Sequence, residues 1–166
     1  MDLIKFMKKI SFVGLLLVFV CSCKDEGIQK NTKKNKIDFI FPDTVFANNA
    51  YSGKIIYSSD LDTITTKLFD KNNFRTIEYQ YTGTKMINYD INHLKTKIKD
   101  TVYAKNNNLI EMKKIWFGKI GTFYFDGVIK DEVKIISRVK DNNGKYKIRL
   151  ITNELRLSKK IVVISR

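Results

Sequence analysis

The chain has little of what usually carries catalysis or covalent bracing. Its 166 residues hold one histidine, two cysteines, one proline and one tryptophan. A single histidine, His93, excludes any metal motif built on two, and it reads as a surface or half-buried residue. Beyond Cys21 and Cys23 the sequence contains no thiol, so the rest can form neither an internal disulfide nor a cysteine nucleophile. No Gly-x-Ser-x-Gly elbow and no glycine-rich phosphate loop occurs. Neither a metal nor a cofactor is therefore expected, and the chain does not read as an enzyme. Long apolar runs are also missing. The run Ile10–Val20 has 11 residues, and a membrane-spanning helix needs about 20.

Negative charge is in short supply: 31 Lys and Arg face 17 Asp and Glu, a formal charge of +14. Lysines are spread along the chain with at most two adjacent. A nucleic-acid interface would cluster them, so no nucleic-acid partner is expected. A diffuse positive field suits anionic glycans or lipid head groups.

Met1 to Lys9 is a short basic region, and Ile10–Val20 is the apolar core of a signal peptide. Val20-Cys21-Ser22-Cys23 comes next. This resembles the lipobox of bacterial lipoproteins, with small Ser22 before the cut and Cys23 as the lipid acceptor. The resemblance implies a signal peptide over 1–22 and a mature chain that starts at Cys23, held to the membrane through its lipid. Losing Lys5, Lys8, Lys9 and Asp2 with the signal lowers the formal charge from +14 to +12. Lys24, Asp25 and Glu26 resemble the surface-export signal of lipoproteins in Bacteroidota. That likeness implies an outer-membrane protein on the cell surface rather than the periplasmic face. Residues 23–36 read as a lipidated flexible tether. Between Lys24 and Lys36 only Ile28 is aliphatic and none is aromatic, too little apolar surface to fold. At full extension such a leash reaches roughly 40 Å.

Residues 37–166 read as one β domain, enough to bury roughly two thirds of the unfolded surface. Arg75, Ile77, Tyr79 and Tyr81 alternate with Thr76, Glu78, Gln80 and Thr82, as in a half-buried strand. Phe123, Phe125, Gly127 and Ile129 form a similar set, and Tyr146, Ile148 and Leu150 another. Ile161–Ile164 is a short apolar strand. Asp141-Asn142-Asn143-Gly144 predicts a hairpin with a type I′ turn at Asn-Gly. Ile87, Ile91, Leu94 and Ile98 have helical spacing, which predicts one short helix near 87–97 or two short strands in its place. The expected fold class is all-β, with an Ig-like β-sandwich as the first choice of architecture. The segment Asp43–Ala47 is echoed by Asp100–Ala104, which reads as equivalent strands of two halves or as reused strand-start chemistry.

Few residues suggest chemistry. Asp60 and Asp62 read as a solvated loop rather than calcium ligands. Asp131 and Glu132 lack an assigned partner for paired-carboxylate hydrolysis. Trp116, Phe117, Tyr124 and Tyr79 are candidates for stacking on sugar rings, and equally for the core. Asp43-Thr44-Val45, Asp62-Thr63-Ile64 and Asp100-Thr101-Val102 share one pattern. It is similar to the O-glycosylation sequon of exported Bacteroidota proteins, which implies Thr44, Thr63 and Thr101 as acceptors. The leading expectation is a non-enzymatic binding or structural module, with an anionic glycan or an unidentified protein as partner. An accessory subunit of an envelope transport or secretion assembly is second, and a hydrolase third.

Overall fold

The structure, a computed structural model, describes residues 36–71 and 73–166. The signal peptide (1–22), Cys23, the Lys24-Asp25-Glu26 tripeptide and the tether up to residue 35 lie outside the described residues. Among the described residues, no helix is long and apolar enough to cross a membrane.

Among the described residues eight strands run in chain order: β1 (Lys36–Ile40), β2 (Thr44–Phe46), β3 (Tyr51–Ser58), β4 (Asn73–Thr84), β5 (Asp100–Asn106), β6 (Leu109–Ile115), β7 (Gly121–Lys140) and β8 (Tyr146–Ile164). A 3-10 turn covers Asp60–Thr63, and helix α1 covers Ile91–Lys97. The all-β class is as expected, and so is one short helix inside 87–97. The strands form one continuous ladder in the order β1-β3-β6-β5-β4-β7-β8-β2. This is a curled open sheet, and a two-sheet Ig-like sandwich is not established by it.

The curl brings strands that are remote in the ladder face to face. Phe39 of β1 meets Tyr79 of β4 and Phe125 of β7, each at 5.8 Å between ring centres. The Tyr57 hydroxyl of β3 reaches Asp131 of β7 at 3.2 Å. The concave face holds the main core, including Ile55, Ile77, Tyr79, Ile110, Met112, Phe125, Ile129 and Ile161. Period-two alternation supplies it, since residues 75, 77, 79 and 81 all point inward from β4. Gly127 makes room for one part of this core. A Cβ there would lie 2.4 Å from the Gln80 carbonyl oxygen and 2.7 Å from the Tyr79 ring. Its absence lets Tyr79 and Tyr81 stack at 5.2 Å.

Helix α1 packs on part of the convex face of β7, where Val128 is buried. Asp90 caps this helix, its side chain accepting from the His93 N–H at 2.8 Å, and Leu94 is fully buried. His93 itself is exposed. The β7–β8 hairpin closes through Asn142-Asn143-Gly144. Asp141 N–H donates to the Lys145 carbonyl at 2.7 Å, and Gly144 N–H to that of Asp141 at 3.0 Å. Within this loop only Gly144 has positive φ, at 74°. The expected type I′ turn is thus replaced by a three-residue loop with glycine in the left-handed position. Asp141 favours that loop by accepting from the N–H groups of Asn143 and Lys145. The two echoed segments take different places: Thr44–Phe46 is an edge strand parallel to β8, while Asp100–Asn106 lies inside the sheet. Their likeness fits strand-start chemistry better than equivalent halves.

Candidate functional site

The concave interior has two ends, and they differ in chemistry. At the end where β3 finishes and β4 begins, Arg75 and Asp131 face inward and are both fully buried. Arg75 grips Asp131 with two bonds, Nε to Oδ1 at 2.8 Å and Nη2 to Oδ2 at 2.7 Å. Its Nη1 donates to Asp62 at 2.7 Å and to the Thr65 carbonyl. Asn153 donates to the Tyr57 hydroxyl, and that hydroxyl donates to Asp131. Burial alone would raise the Asp62 carboxyl's pKa, but Arg75, the Ser59 backbone N–H and Asn107 outweigh it and hold it below the usual range. Desolvation pushes the Tyr57 phenol well above its ordinary value, aided by Asp131 and against the opposing pull of Ser59 and Arg75. This cluster is a polar plug that ties the 3-10 turn to the sheet. Every strong acid in it already has a cation or donor, so it offers no free acid or base.

A similar lock stands on the convex face. Arg156 binds Asp126 through Nε at 3.0 Å and Nη2 at 2.7 Å, and Ser158 donates to the same carboxylate at 2.6 Å. Arg156 also donates to the Tyr89 and Ile87 carbonyls, which pins the segment before α1. Burial opposes ionisation of Asp126, yet Arg156, Ser158 and Tyr89 hold its pKa low.

The opposite end is open. Strands β5 and β6 pair only at Ala104↔Ile110 and Asn106↔Leu109. Beyond that they separate, and a cleft of about 510 Å3 opens at this seam. Its lining includes Tyr81, Phe117, Phe123 and Phe125, with Trp116, Lys113, Lys114, Lys119 and Asp100 around them. Phe117 is buried and packs on Phe123 and Phe125, each at 5.6 Å. It anchors the loop whose neighbour Trp116 is 66% exposed. A bulge sets this rim. Between the pairs Tyr51↔Ile115 and Gly53↔Met112, β6 carries one residue more than β3, and Lys114 takes a φ of 57°. Such a conformation is disfavoured for lysine, and bulges of this kind re-aim side chains. Lys113 is paired with Glu111 at 2.8 Å, whereas Lys114 and Lys119 have no carboxylate partner among the described residues. Lys85 lies 5.7 Å over the Phe123 ring. Burial, and then the Asp100 charge, raise the pKa of the Tyr81 phenol, which stays neutral in the cleft floor. A second, shallower hollow of about 840 Å3, bounded by Ile40, Phe41, Pro42 and Gly53, adjoins the first at Lys113 and Lys114.

Of the four aromatic candidates read from the sequence, Trp116 and Phe117 meet in the cleft, Tyr79 is in the core, and Tyr124 is half-buried on the other face. Sequence reasoning missed Phe123, Tyr81 and the free lysines as partners in one site. Only the three-dimensional parting of β5 from β6 gathers them. Asp131 and Glu132 point to opposite faces: Asp131 to the plug, Glu132 to Lys130 at 3.1 Å. The cleft lining holds one carboxylate, Asp100, while paired-carboxylate hydrolysis requires two. Thr44, Thr63 and Thr101 are all exposed, on β2, the 3-10 turn and β5. The Thr63 hydroxyl donates to the Asp60 carbonyl at 2.7 Å. Among the described residues no group of three or more His, Cys, Asp or Glu could hold a metal ion. No protein-family model matches the chain, and neither a curated protein nor a solved structure gives a significant match to it.

Proposed function

We propose that the chain is a lipid-anchored, non-enzymatic binding module that holds an anionic glycan in the aromatic–lysine cleft. The observation that carries this is Trp116, largely exposed beside Lys114 and Lys119 over a floor of Phe117 and Phe123. Sugar rings present apolar C–H faces that stack on aromatic rings, while uronate or sulfate groups pair with ammonium groups. An apolar floor with a few convergent polar groups is the usual make-up of a ligand site. Anchoring through Cys23, outer-membrane location and display on the cell surface through Lys24-Asp25-Glu26 belong to the same reading. They rest on the sequence. Exposure of Thr44, Thr63 and Thr101 is compatible with their being glycan acceptors.

Calorimetric titration with acidic oligosaccharides, against neutral ones of equal length, tests the binding reading. Saturable binding to the acidic set that weakens with salt supports it. Equal affinity for both sets, or none for either, overturns it. Loss of the lipid from the Cys23→Ser chain, read by mass spectrometry in a lipoprotein-processing host, tests the anchor. An unmodified Cys23 in the parent chain would remove it.

A further inference from the structure

The β7–β8 hairpin runs past the body of the sheet. The last pair between β4 and β7 is Asn73↔Ile135, so the remainder of β7, with its partner residues in β8, is a two-stranded arm. The pairs Ile136↔Ile148 and Lys140↔Tyr146 hold it together. Because side chains alternate along β8, Tyr146, Ile148 and Leu150 share one face with Ile136. All four are exposed: Ile136 by 42%, Tyr146 by 55%, and Ile148 and Leu150 by 57% each. Single exposed aliphatics are ordinary, but three on one face of a projecting arm, continued by Leu150 at its base, form a patch. The charge of the arm is one-sided. Residues 134–150 contain six Lys or Arg and one acid, Asp141, a formal +5. Lys134 and Lys140 flank the apolar face, opposite Leu150 and Tyr146, and Lys147 and Arg149 lie on the reverse. Lys140 stands 5.2 Å over the Tyr146 ring.

We propose that this arm docks on an anionic lipid bilayer, with Ile136, Tyr146, Ile148 and Leu150 entering the head-group boundary and the flanking lysines meeting lipid phosphates. Charge complementarity selects the partner. A strongly basic rim around an apolar stripe needs a surface that offers negative charge and an apolar phase side by side, with no matching shape. A bilayer interface offers both, and long lysine stems reach the head groups while the stripe stays buried. The aliphatic stripe and the basic rim then act together, each basic residue near an anionic surface strengthening binding by about fivefold.

Vesicle co-sedimentation tests this. The full chain is used with Cys21→Ser and Cys23→Ser, so that no acyl chain contributes, on phosphatidylglycerol-rich and on pure phosphatidylcholine vesicles. The readout is the excess binding to phosphatidylglycerol, since attachment through residues 10–20 is common to all variants. Ile148→Ser with Leu150→Ser, and separately Lys134→Glu with Lys140→Glu, should each cut that excess about tenfold or more. Thr122→Ala, at the opposite end of β7 from the arm, should leave it unchanged. The substitutions sit on an exposed arm, and an unchanged urea midpoint checks the fold of each. No excess for phosphatidylglycerol in the parent, or an excess that both arm variants retain, overturns the proposal. So does an acidic protein that binds the arm while vesicles do not.

Discussion

At one end of the curled sheet, Arg75 and Asp131 are fully buried and joined by two hydrogen bonds, with Asp62, the Thr65 carbonyl and Tyr57 as further partners. At the other, Trp116 is 66% exposed, and Lys114 and Lys119 carry no carboxylate partner among the described residues. Both ends combine charge with aromatic or phenolic groups, but only one is complete in itself. A buried charge left unpaired is costly, so the plug tolerates no loss of a member. Unpaired charge in contact with solvent costs little, so the open end can wait for a ligand. The difference teaches that charge marks a binding site here only where the fold has failed to neutralise it.

The largest effect should come from breaking the plug. Arg75→Met leaves Asp131 buried without its cation and should destabilise the domain by about 3–5 kcal/mol, read as a lower urea midpoint. Adding Asp131→Leu removes the stranded charge and should recover much of that loss. If the double variant is no better than the single one, the stranded charge is not the cause.

The open end should show the reverse pattern. Trp116→Ala should weaken glycan binding at least about tenfold, or about 1.4 kcal/mol. Stability should change by no more than about 0.5 kcal/mol, as for other surface substitutions. A large fall in the unfolding midpoint would instead make Trp116 part of the scaffold.

Acid should strain the locks and leave the cleft's aromatic floor alone. Asp62 and Asp126 have pKa values lowered by folding. The unfolded chain therefore binds protons first, and the stability these groups contribute is full above about pH 4 and is lost as pH falls through their folded values. The urea midpoint should drop over that window, and Asp126→Asn should flatten the drop. At the alkaline side the Tyr57, Tyr79 and Tyr81 phenols are shifted upward by burial. Folding then favours their neutral forms, so stability should decline as pH rises through about 10, the unfolded phenol range. Ultraviolet titration should show a late group of tyrosines that joins the rest on unfolding.

The smallest effect sharpens the comparison at the bulge. Lys114→Gly relieves a left-handed backbone and should stabilise by up to about 1 kcal/mol. It also removes a free cation and should weaken glycan binding a few-fold. Equal affinity would mean that Lys114 only shapes the rim.

Alternation along β4 was legible in the sequence, including the inward side of Arg75. Its partner was not. Asp131 lies 56 positions away, and only the β4–β7 register sets Arg75 beside it. The helix was legible from Ile91 and Leu94, while Asp90 as its cap passed unnoticed. The β7 and β8 strands were visible as separate short runs, because Asp131, Asn153 and Arg156 interrupt them with polar residues that the fold pairs. The cleft had the weakest signal. It arises where β5 and β6 cease to pair, and nothing in Asp100–Tyr103 or Glu111–Ile115 marks that parting. Trp116 and Phe117 are adjacent and both aromatic, yet one faces solvent and the other anchors the loop.

The central claim is that the open end binds an anionic sugar. Trp116 is the chain's only tryptophan, so its emission reports on that end alone. Titration of the folded chain with a uronate-bearing oligosaccharide should give a saturable change in Trp116 emission that weakens as salt is raised. Emission that stays constant while the oligosaccharide binds would place the ligand elsewhere and contradict the account.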